Sequence, residues 1–169
     1  MRSKAAVMGH PIHPMLIPFP IVGYTGALVG YAIYAGTDDQ FWLNFAIVMN
    51  IVGVGGAVLA ALPGLVDLMA AVPKGSPAKR VGTTHAMLNI LTLALFAITL
   101  GVYASHWDGP ARSASLGITL AAIGVASMLA AGGLGWSLVQ DHQVGIRTAR
   151  EQGGAEWQAS AAAARHHRR

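Results

Sequence analysis

Residues 41–62 read FWLNFAIVMNIVGVGGAVLAAL, twenty-two consecutive positions without an acidic or basic side chain. At about 1.5 Å of rise per residue, a helix of this length runs roughly 33 Å, enough to cross the hydrocarbon core of a bilayer. An amphipathic helix of a soluble domain keeps one polar face, and this stretch offers only Asn44 and Asn50. The segment predicts a membrane-spanning helix that trails on through PGLVDLMAAV to Val72.

Three more apolar blocks, at about 14–36, 85–105 and 115–139, each hold at least 21 residues without lysine or arginine. Only 11% of the chain is charged against 54% hydrophobic, with mean hydropathy +0.51; a soluble domain carries about a quarter charged residues. Backbone polar groups inside a bilayer must be satisfied internally, and four segments cannot close a barrel, so each block is helical. The predicted fold is all-α: a polytopic membrane protein with four transmembrane helices in an antiparallel bundle. Residues 1–146 form the membrane domain and 147–169 a basic, disordered tail.

Ten Lys and Arg residues fall on the side of the N-terminus, central loop and tail; Arg112 alone falls on the other side, with Asp38, Asp39 and Asp108. The positive-inside rule then predicts cytoplasmic N- and C-termini. The basic residues flank apolar blocks and form no patch of their own, so the partner they imply is the lipid bilayer and no nucleic acid. There is no cysteine, which excludes disulfides and thiolate ligands. Phosphate-binding glycine loops, GxSxG and HExxH are also missing.

Four spans bring His10, His13, Asp67, His85 and His142 to one membrane boundary by parity alone. Imidazole is the commonest protein ligand of transition metals and haem iron, and a carboxylate ligates or orients it. Ionisable groups at membrane depth are costly and tend to be functional. Two histidines from different helices suffice for a haem b; three, or two with Asp67, suit a single transition-metal ion (Fe, Cu or Zn). Asn89, four residues after His85, lies on the same helical face, one turn deeper. Pro11 and Pro14 argue against regular helix around His13, while Pro18, Pro20 and Pro63 remove backbone donors near or within the spans. Gly53, Gly55, Gly56, Gly132, Gly133 and Gly135 allow either close helix packing or room for a flat cofactor.

The segments GHPIHPMLIPFPI (9–21), AALPGLVDLM (60–69), Arg80 with His85 and Asn89, and GGLGWSLVQDHQVGI (132–146) together resemble a bacterial and archaeal membrane-protein family, domain of unknown function 2231. Family members usually carry a tyrosine and a His-Gly pair near the end of the fourth helix; Gln140 and Gln143 stand there, beside His142. The family has no established activity. The resemblance implies a plasma-membrane location, and the fusion of some relatives to Rieske-type domains implies electron transfer with a redox protein partner such as an iron–sulfur protein. The leading expectation is one haem b held by two of His13, His85 and His142, with Asp67 and Asn89 supporting them. The alternative is a non-redox scaffold or small transporter subunit with a polar pocket at the same place; self-association as a homo-oligomer is open in either case.

Overall fold

The structure, a computed structural model, describes residues 1–111 and 113–146, together with Gly153, Gly154 and Gln158. The chain starts as a short antiparallel hairpin, β1 (Ala6–Val7) paired with β2 (His10–Pro11). Met8 and Gly9 turn it, both at positive φ (50° and 80°), as a tight two-residue hairpin requires. Helix α1 (Ile12–Leu16) follows at once and runs through Ile17 into α2 (Pro18–Thr37).

His13 and Pro14 are therefore helical, against the expectation for the segment around His13, whereas His10 and Pro11 are not. Pro14 lies in the first turn of α1, and Pro18 and Pro20 lie in the first turn of α2. A helix's first N–H groups have no ladder partner, so proline forfeits little there. Pro63 alone sits deep inside a helix, α3 (Gln40–Ala70), which is a single 31-residue element. Helix α4 spans Pro77–Tyr103 and begins well before residue 85. Hydropathy marks only the part in lipid, whereas the helix is started by the Ser76 side chain, which accepts from Lys79 N–H, and by Pro77 at its first position. A 3-10 turn (Ala104–His106) leads out of α4, and α5 covers Ser115–Gln140. The basic tail expected over 147–169 lies outside the described residues, apart from the three named above.

Four helical spans, Ile12–Thr37, Gln40–Ala70, Pro77–His106 and Ser115–Gln140, are long and apolar enough to cross a membrane. Their outer surfaces are apolar: Phe19, Leu62, Ile90, Leu129 and Trp136 are all more than half exposed. The interior holds Tyr24, Tyr31, Tyr34, Phe96 and Tyr103 with Asn50, Thr92 and Thr99, all buried. Lipid tails are as apolar as leucine, so the association of such helices rests on close packing and interhelical hydrogen bonds.

The helices form two antiparallel hairpins, α2 with α3 and α4 with α5, while α2–α5 and α3–α4 contacts close the ring. The two hairpins repeat one another. Positions 72 apart face each other across the bundle: His13 and His85, Tyr24 and Phe96, Tyr31 and Tyr103, with ring centroids 6.2, 3.9 and 4.8 Å apart. His13-Pro-Met-Leu is matched by His85-Ala-Met-Leu. On the second helices the offset is 71: a Cβ at Gly53 would strike the Tyr24 ring at 2.5 Å, and one at Gly124 would strike Phe96 at 2.6 Å. The hairpins are thus approximate copies about a two-fold axis that runs along the bundle, lined by paired rings.

Some of the glycine positions consequently hold aromatic side chains. Gly53 and Gly124 receive rings, Gly56 lies against Phe19 and Pro20, and Gly55, Gly132 and Gly133 have nothing within 4 Å.

Candidate functional site

One end of the bundle collects the chain's start, the end of α3, the start of α4 and the end of α5. The Met1 ammonium donates to the Gln143 carbonyl at 2.8 Å, and Gly145 N–H donates to the Met1 carbonyl at 2.8 Å. Lys79 Nζ donates to the Leu68 carbonyl across the α3–α4 connection. Span parity therefore places these segments as the sequence argument expects.

Within this end, His13 and His85 meet edge to face, with their planes at 88°. Each is held in the same way. His13 Nδ1–H donates to the Ala60 carbonyl at 2.7 Å, and His85 Nδ1–H donates to the Ala131 carbonyl at 2.8 Å. One turn beyond each accepting carbonyl is a glycine that leaves space for the ring. A Cβ at Gly64 would lie 2.8 Å from His13 Nδ1, and one at Gly135 would lie 3.2 Å from His85 Cε1. A carbonyl only accepts, so Nδ1 carries the proton in both rings and Nε2 is left with a lone pair. Asn89 Nδ2 donates to His85 Nε2 at 3.1 Å and to the His85 carbonyl at 2.8 Å. Both rings are half-buried, and Asn89 is exposed.

The other expected members do not join the pair. Asp67 is engaged elsewhere: its carboxylate accepts from the Ser3 hydroxyl at 2.6 Å, Lys4 N–H at 2.6 Å and Ala5 N–H at 3.0 Å. It thereby straps the N-terminal segment across this end, and it supports neither histidine. His10 is exposed on β2. His142 sits in the turn after α5, its backbone N–H bonded to the Ser137 carbonyl at 3.2 Å. Among the described residues, no group of three or more His, Cys, Asp or Glu side chains is placed to hold a metal ion. The expected five-residue donor set thus reduces to two imidazoles and an asparagine. Parity fixes which end a residue occupies, but not its position within the layer.

The strap gives a direct test. Asp67→Ala removes three hydrogen bonds to a charged acceptor, each worth about 1.5–3 kcal/mol when well shielded and less at this partly exposed site. Amide exchange at Lys4 and Ala5 is expected to accelerate at least about tenfold, the equivalent of about 1.4 kcal/mol; unchanged exchange at both would show that the strap is held by other contacts.

The parts that sequence reasoning missed are the two backbone acceptors and their glycines. Their signal is the repeat itself: Ala60-x3-Gly64 and Ala131-x3-Gly135 recur 47 and 46 residues after the histidines of the two His-x-Met-Leu segments, and internal repeats are best sought first.

A family model described as "Predicted membrane protein (DUF2231)" matches residues 9–148. No curated protein and no solved structure matches the chain.

Proposed function

Because this chain belongs to the DUF2231 family of predicted membrane proteins, its activity has to be read from the site, and we propose that it is a small membrane electron carrier in which His13 and His85 would hold one haem b. The observation that supports this most directly is the symmetric imidazole pair with both Nδ1 atoms committed to backbone carbonyls.

Such a bond fixes the tautomer and ring orientation and makes Nε2 the nitrogen that would ligate; on His85 the Asn89 carboxamide holds that lone pair and would have to turn away for an iron to take it. Two imidazoles from different helices would hold a haem iron if their rings approach each other across the bundle. The observed separation is 6.2 Å. A protein-only metal cage lacks donors here, whereas a porphyrin supplies four of six and leaves two for histidine. Bound haem supplies one-electron redox chemistry. The chain's own contribution is orientation by the Ala60 and Ala131 carbonyls, clearance at Gly64 and Gly135, and the Asn89 carboxamide beside one ring. The Lys/Arg bias supports a cytoplasmic position for this end, where a redox protein such as an iron–sulfur protein would be the fitting partner.

The protein purified from haem-replete cells, or titrated with haemin in detergent, is expected to show a Soret band and sharpened α-bands on dithionite reduction. A protein that stays colourless after haemin addition overturns the haem reading. Copper found in that colourless protein would reassign the pair to a two-coordinate copper(I) site.

A further inference from the structure

The first two turns of α4 precede the apolar block that begins at residue 85, so they stand at the level of the lipid headgroups. Arg80 is five residues before His85, about 7.5 Å along the helix axis. It is exposed and lines two shallow surface grooves. One, of about 320 Å³, lies between α4 and α5 and is walled by Val81, Thr84 and Leu134. The other, of about 360 Å³, is walled by Lys79 and Thr83. Arg80 and Thr84 belong to both.

Among the described residues, nothing neutralises the Arg80 guanidinium. The acidic side chains described at this end are Asp67 and Asp141, and neither lines a groove. Asp67 is taken by Ser3, Lys4 and Ala5, and Asp141 accepts from the Ser137 hydroxyl at 2.6 Å. Lys79 Nζ gives one proton to the Leu68 carbonyl and keeps two. The threonines offer the opposite character. The Thr83 hydroxyl donates to the Lys79 carbonyl at 2.9 Å and the Thr84 hydroxyl to the Arg80 carbonyl at 3.1 Å, so each has only lone pairs left for a ligand. The helix start adds little, because the Ser76 hydroxyl already accepts from Lys79 N–H at 3.1 Å. The repeat supplies no second copy: under the 72-residue offset, Lys79 and Arg80 correspond to Val7 and Met8, exposed apolar residues of the N-terminal hairpin.

We infer that these grooves bind one anionic phospholipid whose headgroup carries free hydroxyls, the chemistry of phosphatidylglycerol. Arg80 takes the phosphate through its planar fork, which fits phosphate oxygens two at a time, and Lys79 adds a second positive charge. A headgroup hydroxyl donates to Thr84 or Thr83. The acyl chains continue over Val81 and Leu134 into the hydrocarbon. Basic pockets between transmembrane helices at the membrane boundary recognise anionic headgroups in this way. Phosphatidylcholine fits poorly, since it has no net charge and no headgroup hydroxyl to offer the threonines. This reading is independent of haem: a colourless protein leaves it standing.

The test uses the full chain in nanodiscs of phosphatidylcholine doped with phosphatidylglycerol or with phosphatidylmethanol, which has the same charge and no headgroup hydroxyl. Native mass spectrometry counts the lipids that stay bound. The wild type is expected to retain one phosphatidylglycerol in preference to either of the others. Arg80→Gln is expected to weaken that retention about fivefold or more, as the loss of one interfacial charge implies. Lys4→Gln removes the same charge from the same end, outside the grooves, and is expected to leave retention unchanged. Thr84→Val is expected to narrow the gap between phosphatidylglycerol and phosphatidylmethanol. Equal retention of the three lipids by the wild type overturns the inference, and so does an equal loss in Arg80→Gln and Lys4→Gln, which would be unspecific attraction. Displacement of the lipid by soluble glycerol phosphate would reassign the grooves to a water-borne ligand and overturn it as well.

Discussion

Alanine at His13 or at His85 is expected to leave the purified protein without a Soret band, whereas alanine at His142 leaves the band in place. The argument is stoichiometric. Two imidazoles are available as axial ligands, and no third His, Cys, Asp or Glu among the described residues is positioned to replace either. His142 lies in the turn after α5, and His10 is exposed on β2. Losing either ring also leaves one backbone carbonyl, at Ala60 or Ala131, without its second donor. A fold defect must therefore be separated from ligand loss. External imidazole added to His13→Gly or His85→Gly restores the band if the ring acts as a ligand; a variant that is merely misfolded does not respond. Asn89→Ala is expected to keep the band and not to weaken haem retention, because Asn89 donates to the same His85 Nε2 that would ligate and its removal frees that lone pair. Colour retained in both His13→Ala and His85→Ala would eliminate this site.

The second large effect concerns the fold. Gly23→Ala should destabilise the bundle severely, because its Cβ would sit 2.3 Å from the Gly53 nitrogen and 2.5 Å from the Gly53 Cα. Those are backbone atoms that cannot rotate away, so α2 and α3 have to separate. The layer above them, where Tyr24 stacks on Phe96 at 3.9 Å, would lose its register too. Overpacking of this kind costs about 3 kcal/mol or more. Gly55→Ala is the control: it meets nothing within 4 Å and replaces a poor helix former by the best one, so its effect stays within about 1 kcal/mol. Thermal unfolding in one detergent, monitored by circular dichroism, compares the two. Equal melting temperatures would show that the α2–α3 approach is not the tight contact described.

Much of this architecture is legible in the sequence because lipid imposes a simple rule. Phe41 to Leu62 has to be helical, and its position relative to the other three blocks fixes which ends coincide. Helix limits are less legible, because they depend on local chemistry that hydropathy does not weigh. Ser76 and Pro77 start α4 in the polar layer, and the prolines at 14, 18 and 20 fall where a helix tolerates them. The site is half legible. His13 and His85 stand out as histidines beside apolar blocks, but their partners are carbonyl oxygens, which every residue has. Asp67 reads as a ligand beside a histidine layer and proves to anchor Ser3, Lys4 and Ala5, residues too far away in sequence for any local pattern to link them. The duplication is written in the chain at a spacing of 72 residues in the first helices and 71 in the second, and it escapes notice because the matched positions differ in identity: Tyr24 with Phe96, Asn50 with Ala121.

The two-fold axis has a consequence for how such a chain is made and changed. Each hairpin leaves the membrane on the face by which it entered, so either half inserts as a complete unit and neither dictates the direction of the other. Exchanging the order of the halves, or encoding them as separate polypeptides, would reverse no helix. A substitution in one half can therefore create a difference between the halves without disturbing topology. That freedom is what allows Asn50 and the Tyr24 hydroxyl to exist on one side alone: one copy keeps the scaffold while the other is at liberty to acquire new chemistry.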